Sequence, residues 1–127
     1  MNSTAKPATI LFAHGSRDPK WAQPFVEIQR AVKARQPGTE VELAFLEFME
    51  PTLEKLVAEL VTAGCRIITI APLFMAQGAH LKNDLAGIMD AIRAGYPATE
   101  FKQLPAIGEV GAILDAISDW VVFSTQR

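Results

Sequence analysis

The stretch "ATILFAHGSRDP", residues 8–19, decides the fold. Ala8–Ala13 is a continuous apolar and β-branched run, the pattern of a strand buried on both faces of a parallel sheet. It stops abruptly in His14, Gly15, Ser16 and Arg17. Asp18 can then cap a helix and Pro19 suits its first position. A buried strand that passes through a short polar loop into a helix is the first half of a βαβ unit.

The same unit recurs along the chain. Trp21, Phe25, Ile28 and Val32 are spaced as one face of the first helix, which "QPG" (36–38) ends. "EVELAFLEF" (40–48) reads as the second strand. Pro51 opens a helix with Leu53, Leu56, Val57, Leu60 and Val61 on one side, and Gly64 is placed to end it in a left-handed turn. "RIITIA" (66–71) is a third strand, apolar enough to be covered on both faces. After the longer connection "PLFMAQGAH" (72–80), Leu81, Leu85, Ile88, Met89 and Ile92 mark a third helix that ends at "GYP" (95–97). "TEFKQLP" (99–105) is a more polar strand suited to an edge. The last helix runs over 109–123 with Ile113, Leu114, Ile117, Trp120 and Val121 inward.

Four β-α units predict a single α/β domain, a parallel sheet with helices on both faces. The most apolar strands, the first and third, belong in the centre. The strand order is therefore 2-1-3-4, a flavodoxin-like, three-layer arrangement. Residues 1–7 are expected to be a disordered lead-in and 8–127 the domain. Half of the 127 residues are hydrophobic and the formal net charge is −2, with no basic stripe, which argues against a nucleic-acid partner. No apolar run approaches the ~20 residues of a membrane span. "MNSTAKP" lacks the apolar core of a signal peptide. The one cysteine, Cys65, allows no intrachain disulfide and reads as a small buried hydrophobe, so a cytoplasmic setting is expected.

Ligands of open parallel sheets bind beyond the carboxyl ends of the strands, where the strand order reverses. That point lies between strands one and three. The chain's two histidines, His14 and His80, follow those two strands, and Glu47 ends the second. Neighbouring strands are about 4.8 Å apart, so the three tips fall within about 10 Å. Imidazole with carboxylate suits a divalent transition metal. Each residue also has an ordinary reading: a hydrogen-bonded histidine at a strand end, a glutamate alternating outward. "HG" after a first strand is shared with histidine phosphatases, but the arginine they need before the histidine is Ala13 here. No G-x-S-x-G, G-x-G-x-x-G, P-loop or H-E-x-x-H occurs. The loop "HGSRDP" can still hold an anion on helix-start amides, so a flavodoxin-like phosphate or flavin binder stays open.

A first strand ending in "HGSR", a second running into "FLEFMEPTL" and a third running into "PLFMAQGAHLKND" resemble the small class II chelatases of the CbiX type, over about residues 8–123. The resemblance implies an enzyme that inserts a divalent metal, Co2+, Fe2+ or Ni2+, into sirohydrochlorin in cobalamin or sirohaem biosynthesis. Metal and macrocycle are both substrates and no organic cofactor is implied. The family's two metal-contacting histidines match His14 and His80, and a glutamate implicated in some members matches Glu47. These three would be both metal ligands and the catalytic set that takes the pyrrole protons. The two loops would hold the macrocycle through Ser16, Arg17, Leu73, Phe74, Met75, Gly78 and Lys82. The apolar ones would grip the ring, although Phe74 and Met75 read equally well as core. Arg17, Lys20 and Lys82 would meet its carboxylates. A homodimer is expected, and Trp120, Val122 and Phe123 supply apolar surface on more than one side of the last helix, either for a partner or for the domain's own core. A non-catalytic metal or tetrapyrrole carrier is the competing function.

Overall fold

The computed structural model describes residues 6–126. The strands are β1 (Ala8–Ala13), β2 (Glu40–Phe45), β3 (Ile67–Pro72) and β4 (Glu100–Gln103). The helices are α1 (Gln23–Arg35), α2 (Leu53–Thr62), α3 (Ala79–Gly95) and α4 (Gly111–Thr125), with short 3-10 turns at Pro19–Ala22 and Ile107–Glu109. The sheet is parallel throughout, in the expected order β2-β1-β3-β4. Of residues 1–7, the lead-in expected to be disordered, 1–5 lie outside the described residues. Lys6 lies 3.9 Å from Glu40, and the Pro7 carbonyl accepts from the Glu40 amide at 2.9 Å.

Strand register sorts the side chains. Ala8, Ile10 and Phe12 of β1 pair with Ile68, Ile70 and Pro72 of β3 and point to the side of α2 and α3. There they meet Leu53, Leu56, Val57 and Leu60 of α2 and Leu85, Met89 and Ile92 of α3 in one core. Full burial of such side chains contributes about 1.5–3 kcal/mol each. Thr52 caps α2 by accepting from the Lys55 amide, and Gly64 (φ 101°) turns the chain out of it. Cys65 follows, buried in this core as expected. Burial pushes its thiol pKa up, and the charge of Glu40 adds to the shift.

The opposite face is less complete, and here several expectations are corrected. The first helix is split: Asp18 accepts from the Lys20 amide and opens a 3-10 turn, and the α-helix begins only at Gln23, with Pro24 in its first turn. Its apolar face is half-covered rather than buried. Ile28 is 41% exposed, and Gln29 uses that side to donate to the Val41 carbonyl of edge strand β2. β3 is sealed on one face only, because Ile67 is 40% exposed and Thr69 and Ala71 are half-buried. The largest departure is α4. It was expected to bury Ile113, Leu114, Ile117, Trp120 and Val121, and it buries none; Ile113 alone is half-buried. Hydrophobic spacing marks which residues seek cover, but not whether the cover lies in the same chain.

β2 is shorter than the sequence suggests. It ends at Phe45, and Leu46–Phe48 peel off toward β1. That departure builds the site.

Candidate active site

Three loops meet at the carboxyl rim: 14–18 after β1, 46–51 after β2 and 73–78 after β3. Backbone bonds hold the first two together. The Leu46 amide donates to the Ala13 carbonyl at 2.9 Å, and the Glu47 amide to the His14 carbonyl at 3.0 Å. The Phe45 amide donates to the Pro51 carbonyl at 2.9 Å and closes the base of the 46–51 loop. Gly15 makes the approach possible. It has φ 98°, and a Cβ there would lie 1.8 Å from the Glu47 carbonyl oxygen. Only glycine combines that dihedral with that contact.

Side chains complete what the backbone aligns. His14 Nε2 stands 2.9 Å from Glu47 Oε1. A carboxylate only accepts, so a neutral His14 donates its Nε2–H and keeps its lone pair on Nδ1. Both side chains are about half exposed, 49% and 48%. Such a pair contributes only about 0.2–1 kcal/mol to stability, so its value is chemical rather than structural. The His14 ring also meets the edge of Phe74, with centroids 6.4 Å apart and planes at 86°. Phe74 is buried and packs the same way on Phe12 at 5.5 Å. It therefore supports His14 from beneath and ties the third loop to the first.

The remaining expected residues fall as follows. The Ser16 hydroxyl accepts from the Asp18 amide and shapes its own loop. The Arg17 guanidinium lies over the Phe48 ring, 4.8 Å from its centroid, which links loops one and two. The Leu73 amide donates to the Phe12 carbonyl at 2.8 Å and extends β3 along β1. Met75 is 53% exposed at the rim. Gly78 is the N-cap of α3. His80 is exposed in the first turn of that helix. Lys82 lies 3.6 Å from Glu109, so its charge is shared with a carboxylate. Among the described residues, no three His, Cys, Asp or Glu side chains gather closely enough to hold one ion. The structure thus joins His14 to Glu47 and leaves His80 outside that pair, in the first turn of the helix that follows the third loop. A concavity of about 530 Å³ lined by Glu40, Glu42, Glu59 and Cys65 lies at the other end of the strands, away from this chemistry.

Two features escaped the sequence reading. Phe48 is 56% exposed and has φ 68°, the left-handed region that costs a non-glycine residue about 1–2 kcal/mol. Strain of this kind collects at functional sites. Replacing Phe48 by glycine removes both the strain and the Arg17 contact. Urea unfolding should then show stability within about 1 kcal/mol of the parent; a larger loss would assign the ring to packing. Gly108 is the second feature. Its amide donates to the Phe74 carbonyl, and a Cβ there would lie 1.4 Å from the Met75 carbonyl oxygen. No local signal distinguishes it from a loop glycine, because the contact is with a segment more than thirty residues away.

The model of the CbiX family matches residues 8–122. The chain belongs to the CbiX family. It is 33% identical over 82 residues to a sirohydrochlorin cobaltochelatase of Methanococcus maripaludis, covering 65% of this chain and 57% of that protein. It is also 33% identical over 89 residues to the one of Methanocaldococcus jannaschii, covering 70% and 62%. The chain thus spans about three-fifths of the length of these relatives. A putative cobalamin biosynthesis CbiX protein from Marinobacter aquaeolei superposes with a TM-score of 0.80 at 28% identity, covering 92% of this chain and 95% of that one. The sirohydrochlorin chelatase SirB of Bacillus subtilis in complex with cobalt gives 0.77 at 27% identity, covering 92% of this chain and 50% of SirB. The CbiX match spans all three loops, so the His14–Glu47 pair and His80 lie within the family's own domain.

Proposed function

We propose that this CbiX-family domain inserts a divalent metal into sirohydrochlorin. The single observation that carries the reading is the His14–Glu47 pair, 2.9 Å apart on a rim that the backbone pins in place, with His80 in the first turn of the helix after the adjoining loop. The names of the relatives support it, and so do SirB structures with cobalt and with Fe3+.

Insertion has three requirements. The ion sheds water, the macrocycle bends to present its nitrogen lone pairs, and two pyrrole N–H protons leave as the metal–nitrogen bonds form. Histidine ligands from one or two loops hold the ion loosely enough to pass it on, unlike a closed four-ligand cage. Phe48, Leu73 and Met75 give the ring apolar contacts at the rim. Remote binding energy of about 1–5 kcal/mol can hold it bent. Once the ion has passed to the ring and freed the Nδ1 lone pair, the His14 imidazole accepts one pyrrole proton. The Glu47 carboxylate stabilises the cation that results, while the second proton passes to solvent water. Arg17 and Lys20 meet the ring's carboxylates, with Lys82 held back by Glu109. Both reactants are consumed in the product, so the reaction calls for no organic cofactor. We assign the domain to the cytoplasm and to a two-copy assembly. No helix among the described residues is long and apolar enough to cross a membrane.

Absorption spectra of sirohydrochlorin with Co2+, Ni2+ or Fe2+ test the proposal. The protein should speed product formation well above the uncatalysed background with at least one metal. Binding of the ring or metal without acceleration would make it a carrier.

A further inference from the structure

Arg17 stands on the rim among carboxylates that are already engaged. Asp18 accepts from the Lys20 amide, Glu47 is 2.9 Å from His14, and Glu50 is 2.8 Å from Lys55. Every ion pair among the described residues is made by another cation, so Arg17 has no carboxylate partner there. Its Cζ lies instead over the Phe48 ring, 4.8 Å from the centroid. The two ways of holding an arginine differ. A carboxylate fixes the guanidinium by engaging its N–H donors. An aromatic face attracts the cation through the ring quadrupole and leaves those donors for another partner.

Core packing does not place Phe48 there. It is 56% exposed and stands outside the core cluster. Its φ of 68° is left-handed, and that conformation costs more than an exposed cation–π contact contributes. The backbone on either side is pinned. The Glu47 amide is bonded to the His14 carbonyl, and the Phe45–Pro51 bond closes the base of the loop. The Ser16 hydroxyl, accepting from the Asp18 amide at 3.1 Å, turns the first loop about Arg17. The bond that brings Glu47 to His14 thus also carries the next residue, Phe48, to Arg17. Ring and guanidinium are held in register with the His14–Glu47 pair.

We infer that Phe48 is a positioning residue for substrate recognition: its ring holds the Arg17 guanidinium beside the His14–Glu47 pair with its N–H donors unengaged, ready for one peripheral carboxylate of the macrocycle. The inference rests on the proposed function, in which Arg17 meets the carboxylates of sirohydrochlorin. A mobile arginine loses rotamer freedom when it closes on an anion. One already seated on a ring has lost part of it before the ligand arrives, so the pairing is tighter. Lys82 is the contrast on the same rim. It lies 3.6 Å from Glu109, and a substrate carboxylate would have to compete with that contact.

Phe48→Leu tests the inference. Leucine keeps a Cβ at the same backbone position and an apolar surface for the macrocycle, but it has no aromatic face. Phe48→Met serves as a second such variant, and circular dichroism checks that each is folded. Metal-free sirohydrochlorin is titrated into each protein by its absorption spectrum, with metallation kinetics alongside. Phe48→Leu should weaken ring binding about 3-fold, the worth of an exposed cation–π contact, and raise KM while kcat holds. Phe48→Tyr should keep the parent affinity. Arg17→Gln should weaken binding about 10-fold or more, the worth of a hydrogen bond between charged groups. In that background Phe48→Leu should change affinity no further. Parent affinity in both Phe48→Leu and Phe48→Met would overturn the inference, and so would a tyrosine variant as weak as the leucine one. An equal loss from Phe48→Leu with and without Arg17 would overturn it too, by making the ring a direct contact of the macrocycle. A parent that does not bind sirohydrochlorin sinks it outright. A parent that shows the expected affinities but does not speed metallation sinks the chelatase reading and leaves the role of Phe48 standing.

Discussion

Alanine in place of His14 is expected to lower sirohydrochlorin metallation by at least about 100-fold, the lower end of what a positioned proton-transfer group contributes, and to leave the fold intact. The imidazole is about half exposed and its side-chain hydrogen bond goes to one half-exposed carboxylate, so its removal should cost no more than about 1 kcal/mol. His80→Ala should be as damaging to insertion and still gentler on stability, because His80 is exposed in the first turn of α3 and alanine favours a helix more than histidine does. Glu47→Gln separates two roles. Glutamine keeps a hydrogen-bond acceptor for His14 but cannot stabilise an imidazolium. Turnover should therefore fall while sirohydrochlorin binding persists. Initial rates, ring binding and urea unfolding on the three variants check this. An unchanged insertion rate in either histidine variant would end that residue's assignment.

Gly15→Ala is expected to be the most destabilising single-methyl change in the site. The residue sits at φ 98°, and its new Cβ would be driven into the Glu47 carbonyl oxygen. Left-handed strain of about 1–2 kcal/mol and overpacking of about 1–3 kcal/mol together predict a loss of about 3 kcal/mol in urea. The relief of that clash moves the 46–51 loop away from β1, so the His14–Glu47 bond should open and insertion should drop even where the protein remains folded. A midpoint and rate equal to the parent's would show that the two loops do not need this close approach. Gly64 also has a positive φ, 101°, but nothing within 4 Å of a built Cβ. Gly64→Ala should therefore cost the dihedral strain alone and leave insertion unchanged, which makes it the control.

The sequence by itself determined the architecture. Alternation of apolar runs with helical periodicity, graded by how apolar each strand is, gave four β-α units in the order β2-β1-β3-β4. It did so because burial on both sides of a central strand must be written into consecutive residues. The same logic put His14, Glu47 and His80 at one rim, since strand ends are legible and parallel strands align their carboxyl ends. Tertiary structure alone decided the rest. Glu47 reaches His14 because β2 stops at Phe45 and its next residues bond across to β1, a contact between segments more than thirty residues apart. The strained Phe48 and the close approach of Gly108 to Met75 have the same origin. The last helix gives the sharpest contrast. Its letters announce that Leu114, Ile117, Trp120 and Phe123 need cover, but apolar periodicity is a property of one helix. Which surface supplies the cover is a property of two, and here the chain's own sheet does not meet it.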